Sequence, residues 1–178
     1  MFMTSLWEGC KSEAKKTYSL PLYYFDLKSY FEGEANRLSS SNIMVDKSVS
    51  KNNDFEKKEI VIKDWTNELA LFINSDINKT AWKESYVKDS TVNKISYFAK
   101  YPDLKTRSIV LNIKDHKPSC IKIINHQKNY LIENTESLIY YPDSVYTIQK
   151  TQRFIFLDKQ VYYIIGKFNK GAVKPPPN

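Results

Sequence analysis

His116 and His126 are the only histidines in the chain. Histidine is the side chain best suited to proton transfer and metal binding near neutral pH, so their spacing is the first question. If residues 117–126 form one strand, about 3.3 Å per residue places the two about 30 Å apart, too far to share a metal or a catalytic centre. Each is read as a turn residue. Asp103 and Asp143 offer a carboxylate pair across a sheet, but each closes a Tyr-Pro-Asp run whose turn chemistry already accounts for it. Glu32 and Glu34 fall beside the polar side of a helix and read as surface. There is no nucleophile elbow, no Gly-rich phosphate cradle and no Cys/His run with zinc spacing. The expectation is no catalytic residue, no metal site and no cofactor. A site assembled from tyrosines and carboxylates of a sheet is the enzymatic alternative.

Cys10 carries a different chemistry. It follows Gly9 in Leu6-Trp7-Glu8-Gly9-Cys10 and precedes the polar run Lys11-Ser12-Glu13-Ala14-Lys15-Lys16. A small residue before a cysteine, followed by a polar tether, is the pattern of a lipid attachment site at the processed end of a bacterial lipoprotein. A signal peptide needs a basic start and about 7–15 apolar residues ahead of the cleavage site, and residues 1–9 supply neither. Two expectations stand: Met1 lies inside a longer signal, or Cys10 is an ordinary thiol in a frayed N-terminus. The second cysteine, Cys120, lies in the strand-like run Pro118-Ser119-Cys120-Ile121-Lys122-Ile123 and reads as a small buried hydrophobe. Cysteine count leaves the redox compartment open.

The elements that must position these residues are bounded by composition. At 178 residues, 42% hydrophobic and 26% charged, the chain suits one domain with a real core. No run of about 18 apolar residues exists, so a lipid anchor would be the means of membrane attachment. The formal charge is +7 and the pI about 9.2, which raises nucleic acid or an anionic surface as a partner. Of the 27 basic residues only Arg37, Arg107 and Arg153 are arginine, and the lysines are scattered. Arginine supplies the planar fork that phosphate recognition favours, so nucleic acid is not the expected partner.

Tyr24, Leu27, Phe31, Ala35 and Leu38 recur at three- and four-residue steps and predict a helix over about 22–38, with Pro21 in its first turn. Ile43-Met44-Val45 and Ile60-Val61-Ile62 flank the polar Lys51-Asn52-Asn53-Asp54, which predicts a hairpin or, alternatively, a loop. Asp64 caps a second helix with Trp65, Leu69, Phe72, Ile73 and Ile77 on one face, Asp76-Ile77-Asn78-Lys79 interrupts it, and Trp82 anchors a further short turn. From Tyr86 onward the period becomes two, with turn signals at 101–104, 114–118, 126–129, 141–144 and 157–160. The predicted class is α+β: N-terminal helices on a curved antiparallel meander of about six or seven strands, with a half-barrel as the alternative form of the sheet. The predicted organisation is a signal remnant and tether over 1–20, one domain over 21–169 and a Pro-rich tail over 170–178.

Asp64-Trp65, Glu68-Leu69, Phe72, Asp76-Ile77-Asn78-Lys79 and Trp82 form one set of short stretches. Leu138-Ile139-Tyr140-Tyr141-Pro142-Asp143-Ser144, Thr151-Gln152 and Gly166-Lys167-Phe168 form a second. Together they resemble a group of uncharacterised Gram-negative envelope lipoproteins. The resemblance implies export, lipid modification at Cys10 and an α+β domain, and it implies no activity. The expected function is a non-enzymatic, membrane-anchored envelope domain facing the periplasm or the cell surface, acting as a binding or structural module with the protein or apolar ligand unidentified. The alternative is a soluble, cytoplasmic basic protein that binds a polyanion through its lysines.

Overall fold

The computed structural model describes residues 22–52 and 54–173, with side chains through Asn169. Cys10, Pro21 and the Pro175–Pro177 run lie outside the described residues. Helix α1 spans Leu27–Ser41 and buries Leu27, Phe31, Ala35 and Leu38, the expected stripe. It begins five residues later than predicted because the Asp26 carboxylate accepts the Ser29 N–H at 2.9 Å and caps it there. Tyr24 lies ahead of the helix, and its hydroxyl donates to the backbone carbonyls of Trp82 and Lys83. Asn42, at φ 47°, ends the helix in the left-handed conformation that asparagine tolerates.

The second predicted helix is two short pieces, α2 (Trp65–Glu68) and α3 (Ala70–Ile73), hinged at Leu69. Asp64 caps it as expected, accepting the Asn67 N–H at 2.9 Å. It stops at Ile73, shortly before the interruption expected at residues 76–79. Polar side chains there bond locally: the Ser75 hydroxyl donates back to the Leu71 carbonyl at 2.7 Å, and Asp76 accepts the Asn78 N–H at 3.0 Å. A 3-10 turn, Thr80–Trp82, follows.

The strands are β1 (Ile43–Lys51), β2 (Asp54–Val61), β3 (Tyr86–Thr91), β4 (Lys94–Ala99), β5 (Thr106–Lys114), β6 (Lys117–Lys128), β7 (Ile132–Tyr141), β8 (Val145–Phe154) and β9 (Gln160–Val173). They form one antiparallel sheet of nine strands in the order β2-β1-β9-β8-β7-β6-β5-β4-β3, more strands than the six or seven expected. The difference arises because the 43–62 hairpin joins the meander: β1 pairs along β9, with Val45 opposite Phe168 and Lys51 opposite Tyr162. Strand β9 also continues to Val173, where it pairs with Ile43, past the domain limit expected at residue 169.

The sheet is curved and open, with β2 and β3 as edges. Charges line β2 at Lys57, Lys58, Glu56 and Glu59, and β3 is only 6 residues long, both of which discourage a further strand from adding. Three irregularities, at Ile43/Val45, Thr106/Ser108 and Asn112/Ile113, interrupt the ladders and supply local bends. The turn Asp115-His116 has φ of 51° and 61°, the two-residue geometry whose twist matches an antiparallel hairpin.

Two cross-strand rows make the core floor. One runs Leu111, Ile121, Tyr140, Tyr146, Gly166, and the next runs Ile109, Ile123, Leu138, Ile148, Ile164. The helices lie on this face. Phe31 stacks against Phe72 and Tyr140 at 4.8 and 5.1 Å, and Trp65 meets Phe168 at 5.7 Å. Among the described residues, no helix covers the opposite face. Its Ile139, Thr147 and Ile165 are half-buried and Tyr163 is exposed, so the apolar run Val161–Ile165 is not enclosed on both sides.

Gly166 is where the Tyr146 ring lies across the backbone of β9, and a Cβ there would collide with the ring. The substitution Gly166→Ala is expected to destabilise the fold by about 1–3 kcal/mol through overpacking. Urea unfolding measures this, and an unchanged midpoint would contradict the packing described.

Candidate functional site

Of the residues singled out in the sequence, the structure brings Glu34 and Asp143 together through Arg37 and leaves the two histidines and Asp103 apart. Cys10 lies outside the described residues. His116 occupies the β5–β6 turn as expected. His126 does not occupy a turn: β6 runs on to Lys128, and the His126 ring pairs with Glu133 of β7 at 3.1 Å. The ladder holds it in the strand, with Thr135 directly opposite. Asp103 lies in the β4–β5 loop and Asp143 in the β7–β8 turn at the other end of the sheet, so they form no carboxylate pair. Cys120 is buried, as expected, and Trp65 is part of the core. Trp82 is half-buried beneath the Lys79 ammonium, 4.1 Å from its ring.

Glu34 is not a surface residue. Its side chain is 14% exposed, and Tyr140 Oη donates to it at 2.5 Å. Arg37 clamps the same carboxylate through Nε and Nη2 at 2.9 and 2.8 Å, and its Nη1 reaches Asp143 at 2.8 Å. Beside this group, Tyr146 Oη donates to Glu68 at 2.5 Å, and Lys47 Nζ bonds the other oxygen of Glu68 at 2.6 Å. Tyr140 and Tyr146 stand opposite each other on β7 and β8, so the two tyrosine–glutamate pairs are neighbours. Burial, then the Glu34 hydrogen bond and charge, pushes the Tyr140 phenol far up; burial and the Glu68 charge do the same to Tyr146. Both phenols therefore act as hydrogen-bond donors, and the chemistry of these pairs is attachment of helix to sheet. The sequence signal was two tyrosines flanking a Pro-Asp-Ser turn, with nothing to name their partners.

Away from the helices the inner face turns polar. Asn125 Nδ2 donates to the Ser75 hydroxyl at 2.8 Å and to Glu136 at 3.0 Å, and the Thr106 hydroxyl donates to the Ser75 carbonyl at 3.1 Å, all buried. One row further, Gln152 Nε2 donates to Asn134 Oδ1 at 3.1 Å and Tyr162 Oη to Gln160 at 2.6 Å. These rows mark the limit of the apolar core.

Beyond them, the β6–β7 and β8–β9 loops stand side by side, joined by the Ile155 N–H donating to the Leu131 carbonyl at 3.2 Å. Asn129 Oδ1 accepts the N–H groups of Leu131 and Ile132 at 2.9 and 2.8 Å, which folds the first loop into a tight turn. That turn leaves Tyr130 94% exposed with Leu131 beside it, and the second loop presents Ile155, Phe156 (87% exposed) and Leu157. A recess of about 560 Å³ opens between the loops, lined by Lys128–Glu133 and Arg153–Ile155. Glu133 lies at its edge. The His126 hydrogen bond, then the Lys128 and Arg153 charges, holds its carboxyl below the usual range. Exposed apolar patches of this kind on a folded domain mark interaction surfaces. Comparison with known proteins returned no matching family model, curated protein or solved structure. This loop end is the candidate functional site. Its sequence signal was large apolar residues placed at turns, where hairpin tips ordinarily carry polar ones.

Burial opposes ionisation of Glu34, but the hydrogen bonds from Arg37 and Tyr140 outweigh it and hold its pKa below the ordinary 4.5. A lowered native pKa means stability present above the unfolded value and lost as pH falls through the native one. Glu34→Gln is expected to cost about 1–2 kcal/mol at neutral pH through lost charge-assisted bonds. The deficit should shrink as pH falls below 4.5. Urea unfolding across that range checks it, and a deficit independent of pH would exclude an ionised Glu34.

Proposed function

We propose that this chain is a non-enzymatic binding or structural module of a bacterial cell envelope, held to a membrane by lipid on Cys10. The observation that supports it is where the chain enters the domain. The backbone N–H groups of Tyr23 and Tyr24 both donate to Asn78 Oδ1, at 3.2 and 3.0 Å, and Asn78 Nδ2 donates back to the Phe25 carbonyl at 3.0 Å. The Phe25 N–H donates to the Tyr97 hydroxyl at 3.1 Å. The Tyr24 ring packs edge-on against Tyr86 and Tyr97 at 5.6 and 5.4 Å. Tyr86 pairs with Ala99, beside the β4–β5 loop, so the entry lies at the same end of the sheet as the exposed apolar loops.

The entry is therefore firmly fastened, and a pull from residues ahead of it is borne by the body of the domain. Cys10 precedes Leu22 by 12 residues (22 − 10), a covalent reach of at most about 40 Å. A lipid on Cys10 would keep the loop end close to the bilayer. Glu34 and Glu68 are occupied in holding helices to strands, and the more deeply buried Glu136 accepts from Asn125.

Metabolic labelling of cells with a clickable fatty acid tests the anchor. The full-length gene product is expected to take the label and fractionate with membranes. Cys10→Ala should abolish the label and release the protein from that fraction, whereas an unlabelled wild type or equal label on the variant overturns the reading.

A further inference from the structure

The two apolar loops at the end of the sheet have a partner that their shape and charge specify. We propose that Tyr130 and Leu131 of the β6–β7 loop, with Ile155, Phe156 and Leu157 of the β8–β9 loop, insert into the surface of an anionic lipid bilayer. This contact goes beyond lipidation and does not require it.

Six observations carry the inference. The five side chains are contiguous, because the Ile155–Leu131 backbone bond locks the loops together, and each is at least 61% exposed. They stand at the tips of hairpins, and a projecting apolar tip suits a deformable hydrocarbon surface, whereas a protein partner would need a matching pocket. Tyrosine and phenylalanine are also amphipathic or apolar ring systems suited to the bilayer interface.

Charge agrees. Lys128, Arg153 and Lys159 surround the tips and are exposed. Of the acids nearby, Glu133 is engaged by His126, Lys128 and Arg153 at 3.1, 4.0 and 3.9 Å, which leaves Asp158 as the exposed acid within the β8–β9 loop. The chain as a whole carries +7, so an anionic surface attracts it from a distance. Behind the tips, Asn134, Gln152 and Gln160 form a polar row about 10 Å up the strands, at the depth where headgroups would lie. Finally, the chain enters the domain at this same end, so any tether presents these loops to the bilayer.

The test uses the full chain carrying Cys10→Ala, so that no lipid contributes. It is mixed with phosphatidylcholine vesicles, alone or with about 30 mol% phosphatidylglycerol, and sedimented. Binding to the anionic vesicles is expected, weakening with salt, and Phe156→Trp should show a blue-shifted emission on binding. Phe156→Ser with Leu157→Ser should weaken partitioning about tenfold or more while leaving the thermal midpoint unchanged. Val92→Ser, at an equally exposed apolar residue in the β3–β4 turn of the opposite end, should have no effect. No preference for anionic vesicles, or equal loss from Val92→Ser, overturns the proposal. So does self-association that the paired serine substitutions abolish without any vesicle binding, which would assign the loops to a second copy of the chain. Failure of Cys10 labelling leaves all these outcomes unaffected, so the two readings fail separately.

Discussion

The hydroxyls of Tyr140 and Tyr146, donated to Glu34 and Glu68, set where the helices lie, and much of the molecule follows from that constraint. Apolar packing is non-directional and would let a helix slide along the sheet. A buried phenol left without a partner costs about 1–3 kcal/mol, so each helix is drawn to the one register that satisfies it. Glu34 belongs to α1 and Glu68 to α2, while both tyrosines belong to one β-hairpin. One patch of sheet therefore locates both helices. Arg37 and Lys47 complete the carboxylate shells, and Gly166 provides the gap the Tyr146 ring needs.

With the helices placed, the two ends of the sheet become different. At the end beneath Arg37, the connections are tight turns at Asp115-His116 and Pro142–Ser144, and the Arg37–Asp143 ion pair ties α1 to the turn. At the other end the helical cover stops near Ser75, the inner face becomes polar through Asn125 and Glu136, and longer loops project. Large apolar residues at those loops contribute nothing to the core. Their cost is borne in solubility, which is why an interface is the natural explanation for them.

The topology carries a further consequence. The first hairpin pairs with the last strand, so β1 finds its place only after β9 has been made and its neighbours ordered. Contacts of such sequence separation must offset loop-closure entropy before they contribute stability. The local hairpins from β3 to β9 are the natural early structure, with β1, β2 and α1 completing the assembly.

Residue types alone determined the α+β class, the α1 stripe of Leu27, Phe31, Ala35 and Leu38, the Asp64 cap, the switch to strands at Tyr86 and most of the turns. Each depends on neighbours within a few positions: helical period, alternating period, or the left-handed tolerance of Asn and Asp. The early end of α3 was less legible, because Ser75 and Asp76 satisfy backbone groups that periodicity treats as helical. What only the tertiary structure decided is long-range. The pairing of β1 with β9 raised the strand count to nine. Glu34, which reads as a surface acid beside its own helix, is half-buried and bonded by a tyrosine 106 residues away. Tyr130 and Phe156 share one surface because hydrogen bonding between β7 and β8 aligns their loops. Local pattern records which face of an element is apolar, but the partner of that face, and an apolar residue left without one, exist only once the chain has closed on itself.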